Sequence, residues 1–227
     1  MKLLMVGCEE RGRPLANLCR LNHEVKKLSS SHAEGSADLL RESAKWCDLL
    51  FVGSAKGQAY IIADEIWHLL RGKPIVSLTE GLSIRELRDL YPLSKVSRCY
   101  VYPDLPTDVA LFLLCLDHSF SITESTMLKD LLQSLGDSLL VKEELLESLH
   151  SSIKNAQSIV SEIFHILVES SDQDHSLFSY ALSWVLYGTG LAAVKGEEIS
   201  LQSSHLPKEI KGELTRLFRD FLRASRM

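Results

Sequence analysis

At 227 residues the chain is long enough for one large domain or two small ones, and a hydrophobic share of 45% is ordinary for a folded protein with a real core. A formal net charge of -5, with lysine and arginine scattered rather than gathered into a stripe, argues against nucleic-acid binding. Five cysteines, Cys8, Cys19, Cys47, Cys99 and Cys115, an odd number without any Cys-x-x-Cys spacing, fit the reduced thiols of a cytoplasmic protein best.

Lys2 to Val6 reads as a first buried strand, its apolar run too short for a signal peptide and followed at once by charge. Gly7-Cys8-Glu9-Glu10-Arg11-Gly12 then stands where a dinucleotide-binding domain has Gly-x-Gly-x-x-Gly, with Pro14 suited to the first position of a helix. Glu9 replaces the middle glycine, and so puts a side chain and a negative charge where a backbone should approach two phosphates. Two readings stand side by side: a weakened dinucleotide site using Gly7, Cys8 and Gly12, or a strand-to-helix turn that binds nothing.

His23 to Leu28 fits a second strand, and the serines that follow, Ser29 and Ser30 among them, leave no acidic residue to hold a ribose diol. That favours NADP over NAD if a dinucleotide binds; a polar loop is the alternative. A short amphipathic helix from Ser36 to Lys45 leads into a buried strand from Cys47 to Val52. Between Ser29 and Cys47 there is room for one helix and no further parallel strand with its own crossover. The loop Gly53-Ser54-Ala55-Lys56-Gly57 lies at the carboxyl edge of the sheet, where open α/β folds bind ligands, so Ser54 and Lys56 are candidates for cofactor contact; a solvent-facing lysine is the alternative. Gln58 to Leu70 is an amphipathic helix with Ile61, Ile62, Ile66, Leu69 and Leu70 inward.

Pro74 leads into a short β-branched run stopped by Gly81. Ser83 and Glu86 have capping-box spacing, the helix they open ends at Tyr91-Pro92, and Val96 to Tyr102 is the next strand, closed by Pro103 and Pro106. Strand, helix, strand implies a parallel sheet. Val109 to Leu116 is another strand; the spacing of Cys115 and His118 is a poor zinc signal without a second pair, so no metal is expected. Ser121 and Glu124 form a second capping box, with a helix to about Leu135 and an edge strand from Asp137 to Val141.

Everything beyond reads as helix, which places a boundary between an α/β domain, 1–142, and an α-helical domain, 143–227. Glu143 to Glu169 keeps a period close to 3.6 and is one long helix. Leu177 to Val194 is apolar nearly all round but broken by polar residues and glycines, so it reads as a buried helix and not a membrane span. Pro207 to Arg223 is a last amphipathic helix.

The central stretch KPIVSLTEGLSIRELRDL, followed by an arginine-bearing strand and YPDLP, resembles the cofactor domain of pyrroline-5-carboxylate reductases, in which Ser-Ile opens a helix and the next strand ends in Met-Pro-Asn-Thr-Pro. The resemblance implies a Rossmann-like, mainly parallel sheet domain followed by an all-α dimerisation domain, with a homodimer built through the C-terminal helices. It also implies that Lys56 matches the lysine of the family's Val-Lys-Pro, and that Pro103 and Asp104 stand beside the nicotinamide, Asp104 in place of an asparagine. The Ser-Gly-Ser-Gly-Pro-Ala turn and the threonine-rich loop that bind substrate in the family are not matched at Leu149 to Ala156 or Glu197 to Leu206. Four alterations at one active centre imply loss of proline-forming reduction and a binding or regulatory role for the dimer, with a small-molecule ligand and no nucleic acid or membrane. The alternative is an NADPH-dependent reductase of a cyclic imine or other small substrate. A third, an assembly or regulatory subunit, is inseparable from the first by sequence.

Overall fold

The computed structural model describes residues 1–9, 15, 23–29, 37–104 and 109–169 of the chain. It divides at Glu147/Ser148, and most of what it describes belongs to the first unit. Seven strands form one sheet: β1 (Lys2–Val6), β2 (Glu24–Leu28), β3 (Leu49–Val52), β4 (Pro74–Ser77), β5 (Lys95–Asp104), β6 (Val109–Leu116) and β7 (Gly136–Leu140), in the order β2-β1-β3-β4-β5-β6-β7. The pairs from β2 through β5 are parallel, β6 runs antiparallel to β5, and β7 runs parallel to β6. This is the Rossmann-like, mainly parallel architecture.

Among the described residues there are five α-helices: α1 (Ala37–Trp46), α2 (Lys56–Ile66), α3 (Ile84–Leu90), α4 (Ile122–Gln133) and α5 (Glu143–Glu169). The crossovers through α1, α2 and α3 all advance the same way across the sheet, so the right-handed rule puts these helices on one face. On that face Leu4, Leu50, Ile75 and Val96 are fully buried. The alternate residues Leu3, Met5, Leu49, Phe51, Val76, Cys99, Phe112 and Leu114 join Leu128, Leu131 and Leu132 of α4 in a core on the opposite face. Each such leucine contributes about 1.5–3 kcal/mol relative to an exposed position.

The capping boxes are present as read. Ser83 Oγ accepts from the Glu86 amide and the Glu86 carboxylate accepts from the Ser83 amide, and Ser121 and Glu124 repeat the arrangement. Each glutamate also carries an ion pair, Lys56 to Glu86 at 2.7 Å and Lys95 to Glu124. These lysines, with the capping serines, hold both carboxyls at about 2, below their ordinary value near 4.3. A depressed carboxylate contributes stability that is complete above its ordinary pKa and lost as pH falls through the folded one. The urea midpoint should therefore drop between about pH 4 and pH 2, and the Glu86→Gln/Glu124→Gln variant, which keeps both caps, should show a flatter profile. An unchanged profile would show that these pairs carry no linkage.

Three details differ from expectation. α2 begins at Lys56, two residues early, and gives way to a 3₁₀ turn at Trp67–Leu69. Its inward stripe is Ala59, Ile62, Ala63 and Ile66, and Ile61, expected inside, is 52% exposed because it lies off that stripe. β5 runs through Pro103 and Asp104, which pair with Ala110 and Val109 rather than forming a turn. Gly12, Ser30 and the helices expected over Leu177 to Val194 and Pro207 to Arg223 lie outside the described residues. No helix among the described residues is long and apolar enough to cross a membrane.

Candidate functional site

The chain leaves β1 toward β2 on one side and returns through α1 to β3 on the other, so the carboxyl ends of β1 and β3 frame the crevice in which open α/β sheets hold ligands. Gly7 ends β1 with φ 64° and donates its amide to Leu28 O at 2.9 Å, tying the turn to the end of β2, beside the partly buried Ser29. Gly53 ends β3 and donates to Val6 O at 2.9 Å. The two turns touch: a Cβ on Gly53 would lie 2.9 Å from Gly7 O and 3.0 Å from Cys8 Cα.

Cys8 turns its thiol inward, donating to Val6 O at 3.4 Å and Phe51 O at 3.6 Å, and burial pushes that thiol up to about 12. It belongs to the core and offers a ligand only its backbone. Glu9 is exposed. Ser54 is buried; its carbonyl accepts from Thr79 Oγ1 at 2.9 Å, but its hydroxyl has no hydrogen-bond partner among the described residues. A buried orphan hydroxyl calls for a partner such as water or a ligand.

Lys56 is the first residue of α2, whose N-terminus has no side-chain cap. Its ammonium bridges to Gly81 O at 2.8 Å and Glu86 Oε1 at 2.7 Å, with Tyr60 OH 3.4 Å from the same carboxylate oxygen. The lysine thus braces the loop between β4 and α3.

Beyond the brace lies a charged cluster that the sequence reading did not single out. Strand register sets Val6, Val52, Ser77 and Arg98 level with one another, so Arg98 stands at the carboxyl edge of the parallel strands. Its side chain is 5% exposed and is held by Glu143 and Glu147 from the first turns of α5. Arg98 also donates to Tyr100 OH at 3.1 Å, and that hydroxyl lies 3.0 Å and 3.1 Å from the two Glu147 oxygens. Burial first, then the Glu147 bond, pushes the Tyr100 phenol up to about 12, so it stays protonated. Glu143 reaches further, accepting from the Ile84 amide at 2.6 Å, and ties the start of α3 to the start of α5. The available signal was an arginine inside an apolar strand, because a buried guanidinium requires carboxylate partners.

The predicted residues therefore separate. Gly7, Cys8 and Ser54 lie at the β1/β3 crevice with Ser29 next to it, Lys56 reaches from the start of α2 to the loop between β4 and α3, and Pro103 and Asp104 are the last two residues of β5. Among the described residues no group of three or more His, Cys, Asp or Glu could hold a metal ion.

No protein-family model matches the sequence, and no curated protein does. Solved structures do match. Pyrroline carboxylate reductase from Plasmodium falciparum with NADP bound superposes with a TM-score of 0.74 at 16% identity, over 99% of this chain and 92% of that one. 1-Pyrroline-5-carboxylate reductase from Streptococcus pyogenes gives 0.73 at 14% identity, over 99% and 93%. A reductive aminase from Aspergillus terreus, in complex with NADPH and ethyl-5-oxohexanoate, gives 0.56 at 15% identity, over 96% and 94%. At such identities the likeness is one of fold, and the fold of this chain is that of the pyrroline-5-carboxylate reductases.

Proposed function

We propose that the protein is a diverged relative of these reductases that no longer carries out proline-forming reduction and acts as a dimeric binding or regulatory protein of the cytoplasm, with residues 143–227 as its helical dimerisation part. One observation carries the reading. The two cations described above at the carboxyl edge, Lys56 and Arg98, are both taken by glutamates of the same chain, Glu86 for one and Glu143 with Glu147 for the other. An anionic substrate or a dinucleotide phosphate arriving there meets matched charges, and the β1 turn carries the exposed Glu9 carboxylate. The residues present do not fit an NADP pyrophosphate in charge.

A second reading, an NADPH-dependent reductase of a cyclic imine or other small substrate, draws on shape. Gly7 at positive φ, the close approach at Gly53, the orphan Ser54 hydroxyl and the uncapped N-terminus of α2 leave room for a dinucleotide along the β1/β3 crevice. Two of the structural neighbours were solved with NADP or NADPH.

Calorimetric titration with NADPH and NADH, on the native chain and on Glu9→Gly, separates the two. The first reading expects no binding by the native chain; recovery in Glu9→Gly would assign the block to that one carboxylate. Micromolar NADPH binding by the native chain, together with turnover of any member of an imine panel, would overturn it in favour of the reductase.

A further inference from the structure

Opposite the crevice, at the amino edge of the sheet, the end of α3 and the connection from β6 to α4 border a half-open pocket of about 630 Å³. That is within the range of small-molecule sites, roughly 300–1,000 Å³. We propose that it binds a small ligand through one oxyanion group, a carboxylate or a phosphate. Arg85 and Arg88, three residues apart on α3, both line it. Arg85 is exposed and has no hydrogen-bond or ion-pair partner among the described residues. Arg88 is engaged only through Nε, 4.0 Å from Asp117 Oδ2, which leaves the two terminal nitrogens of its fork free. Planar guanidinium forks match the geometry of carboxylate and phosphate oxygens.

Asp117 is built in as a support. Its side chain is 5% exposed; Oδ1 lies 2.8 Å from His118 Nδ1, and Oδ2 accepts from the Ser119 amide at 3.4 Å. The imidazole is 74% exposed, so holding Nδ1 turns Nε2 to the open side. Asp89 also lines the pocket, so the two arginines stand with two carboxylates, of which Asp117 comes no nearer to Arg88 than 4.0 Å. Unlike Lys56 and Arg98, which glutamates engage closely, Arg85 and the terminal nitrogens of Arg88 remain open to one anionic group, while the two carboxylates disfavour a polyanion.

The test is calorimetric titration of the full chain, in low-ionic-strength chloride buffer, with sodium phosphate and separately with sodium acetate. Saturable binding of at least one is expected, and which one binds distinguishes a phosphate from a carboxylate ligand. Arg85→Ala should weaken that binding about tenfold or more, with Arg85→Lys between the two, since lysine keeps the charge without the fork. Because Arg85 is exposed and unpartnered, the melting temperature of Arg85→Ala should match the native chain. Failure of both probes to saturate, or an Arg85→Ala variant that binds as the native chain does, would overturn the site; the second outcome would place the anion elsewhere, at the Gly7 turn for example.

Discussion

The Glu143→Gln/Glu147→Gln double variant is expected to lose about 3–5 kcal/mol of stability, more than Arg98→Met loses. The asymmetry comes from exposure. Arg98 is 5% exposed, whereas Glu143 and Glu147 are 36% and 53% exposed. A guanidinium stays charged at any accessible pH, so without its carboxylates Arg98 remains a buried cation that water cannot reach. When Arg98 is removed instead, the glutamates turn to solvent and hydrate. Urea unfolding followed by circular dichroism, with all three chains side by side, gives the comparison. Should Arg98→Met be the more damaging change, the cluster is held together by packing of the arginine stem and not by the charge it neutralises.

Gly136→Ala is expected to cost more than about 4 kcal/mol, at the extreme of what single substitutions do. Gly136 opens β7 opposite Ala110 with φ 156°, and a Cβ there would lie 1.9 Å from Ala110 O and 2.6 Å from Ala110 N. Both atoms are backbone, so no side chain can swing aside; β7 must leave its register on β6 or the pair must open. Gly57→Ala is the control, because a Cβ at Gly57 meets nothing within 4 Å and the residue lies in the first turn of α2. That change should be neutral or stabilise by about 0.5–1 kcal/mol. Thermal melts of the two variants should move apart, and a Gly136→Ala chain that melts with the native one would mean β7 is not seated as described.

The strands and helix starts were legible because each depends on neighbours in the chain. β4 is a β-branched run between Pro74 and Gly81, and Ser83 with Glu86 closes a capping box from residues three apart, so local chemistry set both ends of that unit. The end of β5 was misread for an equally local reason. Pro103 looked like a stop, but β4 ends level with Arg98, so the strand beyond that point has β6 on one side and no β4 on the other. A missing amide on an open side breaks no ladder.

By itself the sequence determined the order of strands and helices, the parallel central unit and the turn after β1, all of which rest on periodicity, caps and glycines within a few residues. Tertiary structure alone decided where the charges went. Lys56 reads as a loop lysine until α2 brings it within 2.7 Å of Glu86, thirty residues on, and Arg98 reads as an oddity in a strand until α5 supplies Glu143 and Glu147. Whether a carboxyl-edge cation is free to meet a ligand or already neutralised depends on distances between segments far apart in the chain. Hydrophobic pattern carries no record of those distances, because the pattern reports which face of an element is buried and says nothing of what stands across from it.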